Sequence, residues 1–153
     1  MGQTPTLAEI LRDEASLYDE LLAVLAEEEA ALVRGDASVL ADSLARKDTI
    51  VVKLRLLEHS RQATVTRLTG RGDTPLRNLP GAATGELAAA RARLATVLHQ
   101  VERANARLDA LLTRALSRLR QTLEFLRDAG GDRQYTSGAQ MVGSGLTTID
   151  GRA

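Results

Sequence analysis

An all-α fold, an antiparallel helical hairpin plus a long third helix in a coiled-coil-like three-helix bundle with a flexible C-terminal tail, follows from three features of the chain. Leu and Ala dominate while aromatics are limited to Tyr18, Phe125 and Tyr135, a composition that favours helix over sheet. Apolar residues recur at helical intervals through three long segments. Gly and Pro gather between those segments or after the last of them, where helices stop.

The first helix starts at Thr6, which with Glu9 has the spacing of a capping box. Leu7, Ile10, Leu11, Leu17, Tyr18, Leu21, Leu22, Leu25 and Leu32 then follow at helical intervals to about Arg34. Gly35 suits a helix C-cap and Asp36 the next N-cap, so the second helix begins within two residues and lies antiparallel to the first. A seam stepping four and three runs along it through Leu40, Leu44, Lys47, Val51, Leu54, Glu58, Arg61, Val65 and Leu68. Its three charged positions suit a rim, where long side chains carry their charges to solvent, better than a register-setting contact.

Gly70 to Gly81, with Gly72, Pro75 and Pro80, reads as an irregular connection. The third helix is predicted from about Thr84 to Asp128, roughly 65 Å long at about 1.5 Å per residue. In its first half Leu87, Leu94, Val97, Leu98 and Val101 span roughly 100°, enough for one packed stripe. The second half is wider: Leu108, Leu111, Leu112, Leu116, Leu119, Leu123 and Leu126 span roughly 140°, and Phe125 widens the arc further. That surplus is a candidate partner surface. Past Gly130 and Gly131 the chain turns rich in Gly, Ser and Thr, so one helical domain is expected over 1–128 and a tail, ordered only by a partner, over 129–153.

The 153 residues carry 20 Lys and Arg against 20 Asp and Glu, a net charge of zero that is unevenly spread. Residues 6–34 hold eight acids and two bases, whereas 36–70 and 85–128 are net basic, so an acidic first helix is expected to lie against basic neighbours. The absence of Cys excludes disulfides, thiolate catalysis and Cys-ligated zinc. No apolar run approaches the roughly 20 residues of a membrane span and no signal-peptide pattern opens the chain, which makes the cytoplasm the expected compartment.

Chemistry has little to stand on. His59 and His99 fall on different helices, giving neither a metal pair nor a local triad, and the consecutive Glu27, Glu28 and Glu29 fan around a helix rather than converge. No phosphate-binding loop is present, so neither an enzyme, a metal site nor a cofactor is expected. Arg103, Arg107, Arg114 and Arg118 fall within about 60° of one another, but a neutral chain without an aromatic stacking platform does not favour nucleic acid. Both Arg-Gly-Asp triplets, at 34–36 and 71–73, have local explanations in a cap and a loop. Met1-Gly2 with Thr6 matches the loose myristoylation pattern without the second membrane signal that stable anchoring needs.

Taken together, the segments resemble FlgN-type flagellar export chaperones. The resemblance rests on the Leu-rich first helix with Glu27 to Glu29, on Gly35-Asp36, and on Lys47 followed by Leu54, Leu57, Glu58 and Arg61. It continues through Asn105, Leu108, Leu111 and Leu112, then Leu123, Glu124, Phe125 and Leu126, and ends on Tyr135 and Gly138. The chain departs from the pattern at Leu108, where a second Asn often stands three residues after the first. The resemblance implies a cytoplasmic chaperone that holds hook-filament junction proteins and delivers them to the flagellar export gate. Client contacts are then expected at Asn105, Leu108, Leu111, Leu112, Leu116, Leu119, Leu123 and Leu126, and gate docking at Tyr135 and Gly138. A generic coiled-coil adaptor or scaffold is the alternative that uses the same helices.

Overall fold

The computed structural model describes residues 5–142, with side chains described over 5–131. Three α-helices in the order α1 (Leu7–Arg34), α2 (Ala37–Thr69) and α3 (Gly85–Val142) account for it, with one short 3-10 turn at Leu76–Asn78 between α2 and α3. The chain divides between Leu111 and Leu112 into two units, and α3 contributes to both.

Local chemistry sets the ends of the hairpin. The Thr6 hydroxyl accepts from the Glu9 N–H while the Glu9 carboxylate accepts from the Thr6 N–H, closing a capping box at the start of α1. Gly35, at φ 70°, takes the left-handed conformation that ends α1, and Asp36 caps α2 through the Val39 N–H at 3.1 Å. The two helices therefore turn back on one another with no loop to spare.

Within residues 1–111 the core has two continuous halves. One is built from Leu7, Leu11 and Ala15 of α1, Val65 of α2, Leu79 and Ala82 of the connection, and Ala90, Leu94 and Val97 of α3. The other holds Leu21, Val24 and Leu25 of α1, Ile50 and Leu54 of α2, and Val101, Ala104 and Leu108 of α3. Tyr18 and Leu22 pack against both, joining them. The connection over residues 70–84 thus supplies core residues although it is irregular.

Three expectations are corrected. The seam of α2 holds at Leu54 and Val65 but is displaced elsewhere: Ser43, Ile50 and Thr64 are buried, while Leu44 and Leu68 stand 47% and 58% exposed. Adjacent residues are about 100° apart on a helix, so choosing Leu44 over Ser43 turns the seam off its true face. Two of the three charged seam positions are not a rim, because Lys47 and Arg61 close on the buried carboxylates of Glu28 and Glu14, whereas Glu58 is 54% exposed as a rim position would be. Finally, α3 does not stop at Asp128. It runs to Val142, because Gly130 and Gly131 keep ordinary helical backbone rather than the positive φ adopted by Gly35 and Gly70. Residues 143–153 of the expected tail, and the Met1-Gly2 pattern, lie outside the described residues.

Candidate functional site

The stretch from Leu112 onward belongs to the second unit. Within it Leu112, Leu116, Leu119, Leu123 and Leu126 occupy an arc of about 80°, one face of the helix. These five side chains are 38–61% exposed, and Phe125, about 140° around the helix from the centre of the stripe, is 71% exposed. Large aliphatic side chains aligned over four turns and left to solvent raise free energy unless something covers them, which makes the stripe a candidate interaction surface. Arg120 and Arg127 line one flank of it, one heptad apart, and the small Ala115 and Thr122 line the other with the same spacing.

The remaining candidates fall elsewhere. Leu108 is buried in the three-helix core, Leu111 is half-buried, and Asn105 is exposed. A run of leucines on one helix does not reveal where the intramolecular core ends, and Leu108 is the last that the core claims. Tyr135 and Gly138 lie within the helical backbone of α3, beyond the residues whose side chains are described.

The acidic first helix lies against basic neighbours as its charge leads one to expect, but sequence reasoning missed the individual partners. Glu27, Glu28 and Glu29 do fan around the helix, and each finds a different base: Arg46, Lys47 at 3.3 Å and Arg107 at 3.7 Å. Arg93 meets Asp19 at 2.9 Å, and Arg12 meets Glu86 at 3.0 Å in the opposite sense. Of the four Arg in the row on α3, Arg107 is thereby engaged with the acidic first helix, as the charge distribution suggests. Two of the pairs are buried on their acidic side. Arg61 Nε donates to Glu14 Oε1 at 3.0 Å, and Lys47 Nζ donates to Glu28 Oε2, whereas the second Glu28 oxygen and the Ser43 hydroxyl have no partner. Burial pushes the Glu14 carboxyl above its ordinary 4.5, with Arg61 pulling the other way. The Tyr18 hydroxyl is likewise pushed up by burial and by the nearby Glu14 and Glu58 carboxylates.

The two buried pairs obey one rule: 14 and 61 sum to 75, as do 28 and 47. Sliding α2 by one heptad either way sets Glu28 against Leu54 or Leu40, and Glu14 against Leu68 or Leu54. Each slip leaves two carboxylates among leucines without a cation, so the pairs select the register. The signal was present in the sequence as acids and bases both spaced by fourteen, but it appears only when the two helices are read against each other.

His59 and His99 lie on different helices, with His99 Nδ1 3.3 Å from Glu102 on its own helix. Among the described residues no helix is long and apolar enough to cross a membrane, and no group of three or more His, Asp or Glu is placed to hold a metal ion. The arrangement can bind and position; its chemistry is that of apolar contact between helices.

Comparison with known proteins agrees. No curated protein and no solved structure matches the chain. The family model described as FlgN protein matches residues 1–143, which takes in all three helices. The capped hairpin, the ion pairs that set its register and the uncovered leucine face are therefore features of a chain that belongs to the FlgN family of flagellar export chaperones.

Proposed function

We propose that the protein holds hook-filament junction proteins in the cytoplasm on the face formed by Leu112, Leu116, Leu119, Leu123 and Leu126, and passes them to the flagellar export gate. Family membership supports the chaperone role. One observation supports the placement: these five leucines stand on one helical face and are 38–61% exposed. A partner helix laid on that stripe buries it by ordinary helix packing. Asn105, one turn before Leu108, contributes less to affinity than to register, as single polar positions beside an apolar seam do.

The test is affinity for junction proteins. Leu112→Asp with Leu119→Asp places two charges where the client packs, at a cost of about 3 kcal/mol or more, a loss of roughly a hundredfold or greater. Both side chains are exposed, so the substitutions leave the three-helix core in place. Unchanged affinity in the folded double variant removes the face from the mechanism. Gate docking is assigned to Tyr135 and Gly138, where an aromatic ring with a hydroxyl gives one residue both apolar and hydrogen-bonding contact. Tyr135→Ala then retains the client and loses the gate.

A further inference from the structure

The hairpin also carries a shallow groove along α1 and α2, on which Leu56 stands 68% exposed. Two depressions of about 430 and 310 Å³ follow the α1–α2 crevice and share Lys53. Their apolar lining comes from Leu17 of α1 and Leu56 and Leu57 of α2, over a floor formed by the core residues Val24 and Ile50. The walls differ in charge. Asp13 and Glu20, one heptad apart, stand on the α1 side, and Arg46 and Lys53, one heptad apart, stand on the α2 side. Asp13, Glu20 and Lys53 make no ion pair among the described residues.

A helix suited to this groove has a leucine stripe, two bases seven apart on the flank that meets α1, and uncharged residues seven apart on the flank that meets α2. The chain contains such a segment. Leu112 to Leu126 supply the stripe, Arg120 and Arg127 the basic flank, and Ala115 and Thr122 the neutral one. We propose that the α1–α2 groove of one copy receives the Leu112–Asp128 segment of α3 from a second copy. With the stripe facing the groove and the arginines against α1, the right-handed turn of the helices makes the guest run parallel to α1. Arg120 then faces Asp13 and Arg127 faces Glu20.

Groove and stripe are different surfaces, so the contact is heterologous and extends head to tail. It also covers the leucine face while no client is present, so client binding and self-association compete. The proposal shares that face with the function given above but stands without a client, because its test uses the chain alone.

Sedimentation velocity of the full chain over a range of concentrations is the measurement. The expected result is a mass that rises with concentration. Leu56→Asp, at a side chain 68% exposed on the groove, and Leu119→Asp with Leu123→Asp on the stripe each give monomers. Mixed together, the groove variant still offers a stripe and the stripe variant still offers a groove, so the pair forms one 1:1 dimer that does not extend. Arg120→Glu with Arg127→Glu weakens association roughly tenfold or more, and adding Asp13→Arg with Glu20→Arg to the same chain restores it. A chain that stays monomeric overturns the proposal. So does association that Leu56→Asp leaves intact, which is the outcome of stripe-to-stripe pairing, or a charge swap that fails to restore binding. Leu56→Asp leaves client affinity unreduced in either case, so a failure here is separable from a failure of the client assignment.

Discussion

Replacing Lys47 by Met tests whether the buried pairs set the hairpin. Glu28 is 1% exposed, and of its two oxygens one accepts from Lys47 at 3.3 Å while the other has no partner. Removing the ammonium strands a carboxylate inside the hairpin. Stranding one partner of a buried pair costs about 3–5 kcal/mol, and because the Lys47 side chain is itself 29% exposed the lower figure, about 3 kcal/mol, applies. Replacing both partners, with Glu28→Leu and Lys47→Met, removes the desolvation along with the attraction and is expected to be neutral or stabilising by about 1–4 kcal/mol. Urea unfolding followed by far-ultraviolet circular dichroism gives both quantities and closes the double-mutant cycle. If Lys47→Met costs less than about 1 kcal/mol, or the double variant is weaker than either single one, the buried-pair reasoning fails. Extending the replacement to Glu14→Leu and Arg61→Met removes the last penalty on a slipped register. Spin labels on α1 and α2 then report more than one inter-helix distance where the natural sequence reports one.

Four further outcomes follow from the same geometry. Gly35→Ala forces a Cβ into the left-handed conformation at φ 70° and is expected to destabilise the hairpin by about 1 kcal/mol, read from the urea midpoint. Asp36→Ala removes the α2 cap at the same turn and costs about 1 kcal/mol by the same assay. Gly130→Ala and Gly131→Ala replace two glycines in helical conformation and raise helix stability by about 1 kcal/mol each, visible as added helical signal; no gain would place a turn there instead of helix. Glu14 binds its proton more tightly folded than unfolded, so it adds stability below its ordinary 4.5 and loses that stability as pH rises through the elevated value. Glu14→Gln should remove this component, and an unchanged slope of stability against pH above 4.5 would contradict it.

The parts of the fold legible in the sequence were those decided by neighbouring residues. Thr6 with Glu9, and Gly35 with Asp36, place three helix ends within a residue or two, because capping is satisfied a turn away from the residue that provides it. The stripe of Leu94, Val97 and Val101 was equally plain, since α3 buries it against two partners. What escaped depended on a second helix. Ser43 and Thr64 are polar but small enough to sit between packed helices, so hydrophobicity alone put the seam on Leu44 and Leu68. Lys47 and Arg61 read as rim residues until Glu28 and Glu14 lie opposite them. Glycine is a stop only where the backbone turns left-handed, which Gly130 and Gly131 do not. Of the candidate surface, the leucine stripe was visible as surplus width. Its lower limit was not, because Leu108 and Leu112 are alike in type although Leu108 is buried in the core and Leu112 is 38% exposed.

The central claim is that Leu112 to Leu126 hold the client while the hairpin supports them, and hydrogen exchange with and without a bound junction protein tests it most directly. A covered helix frays less, so amides across residues 112–126 should exchange more slowly in the complex. Amides of the hairpin core over Leu7–Thr69 should be unchanged. Protection that appears within the hairpin core while residues 112–126 exchange as in the free chain would contradict the account.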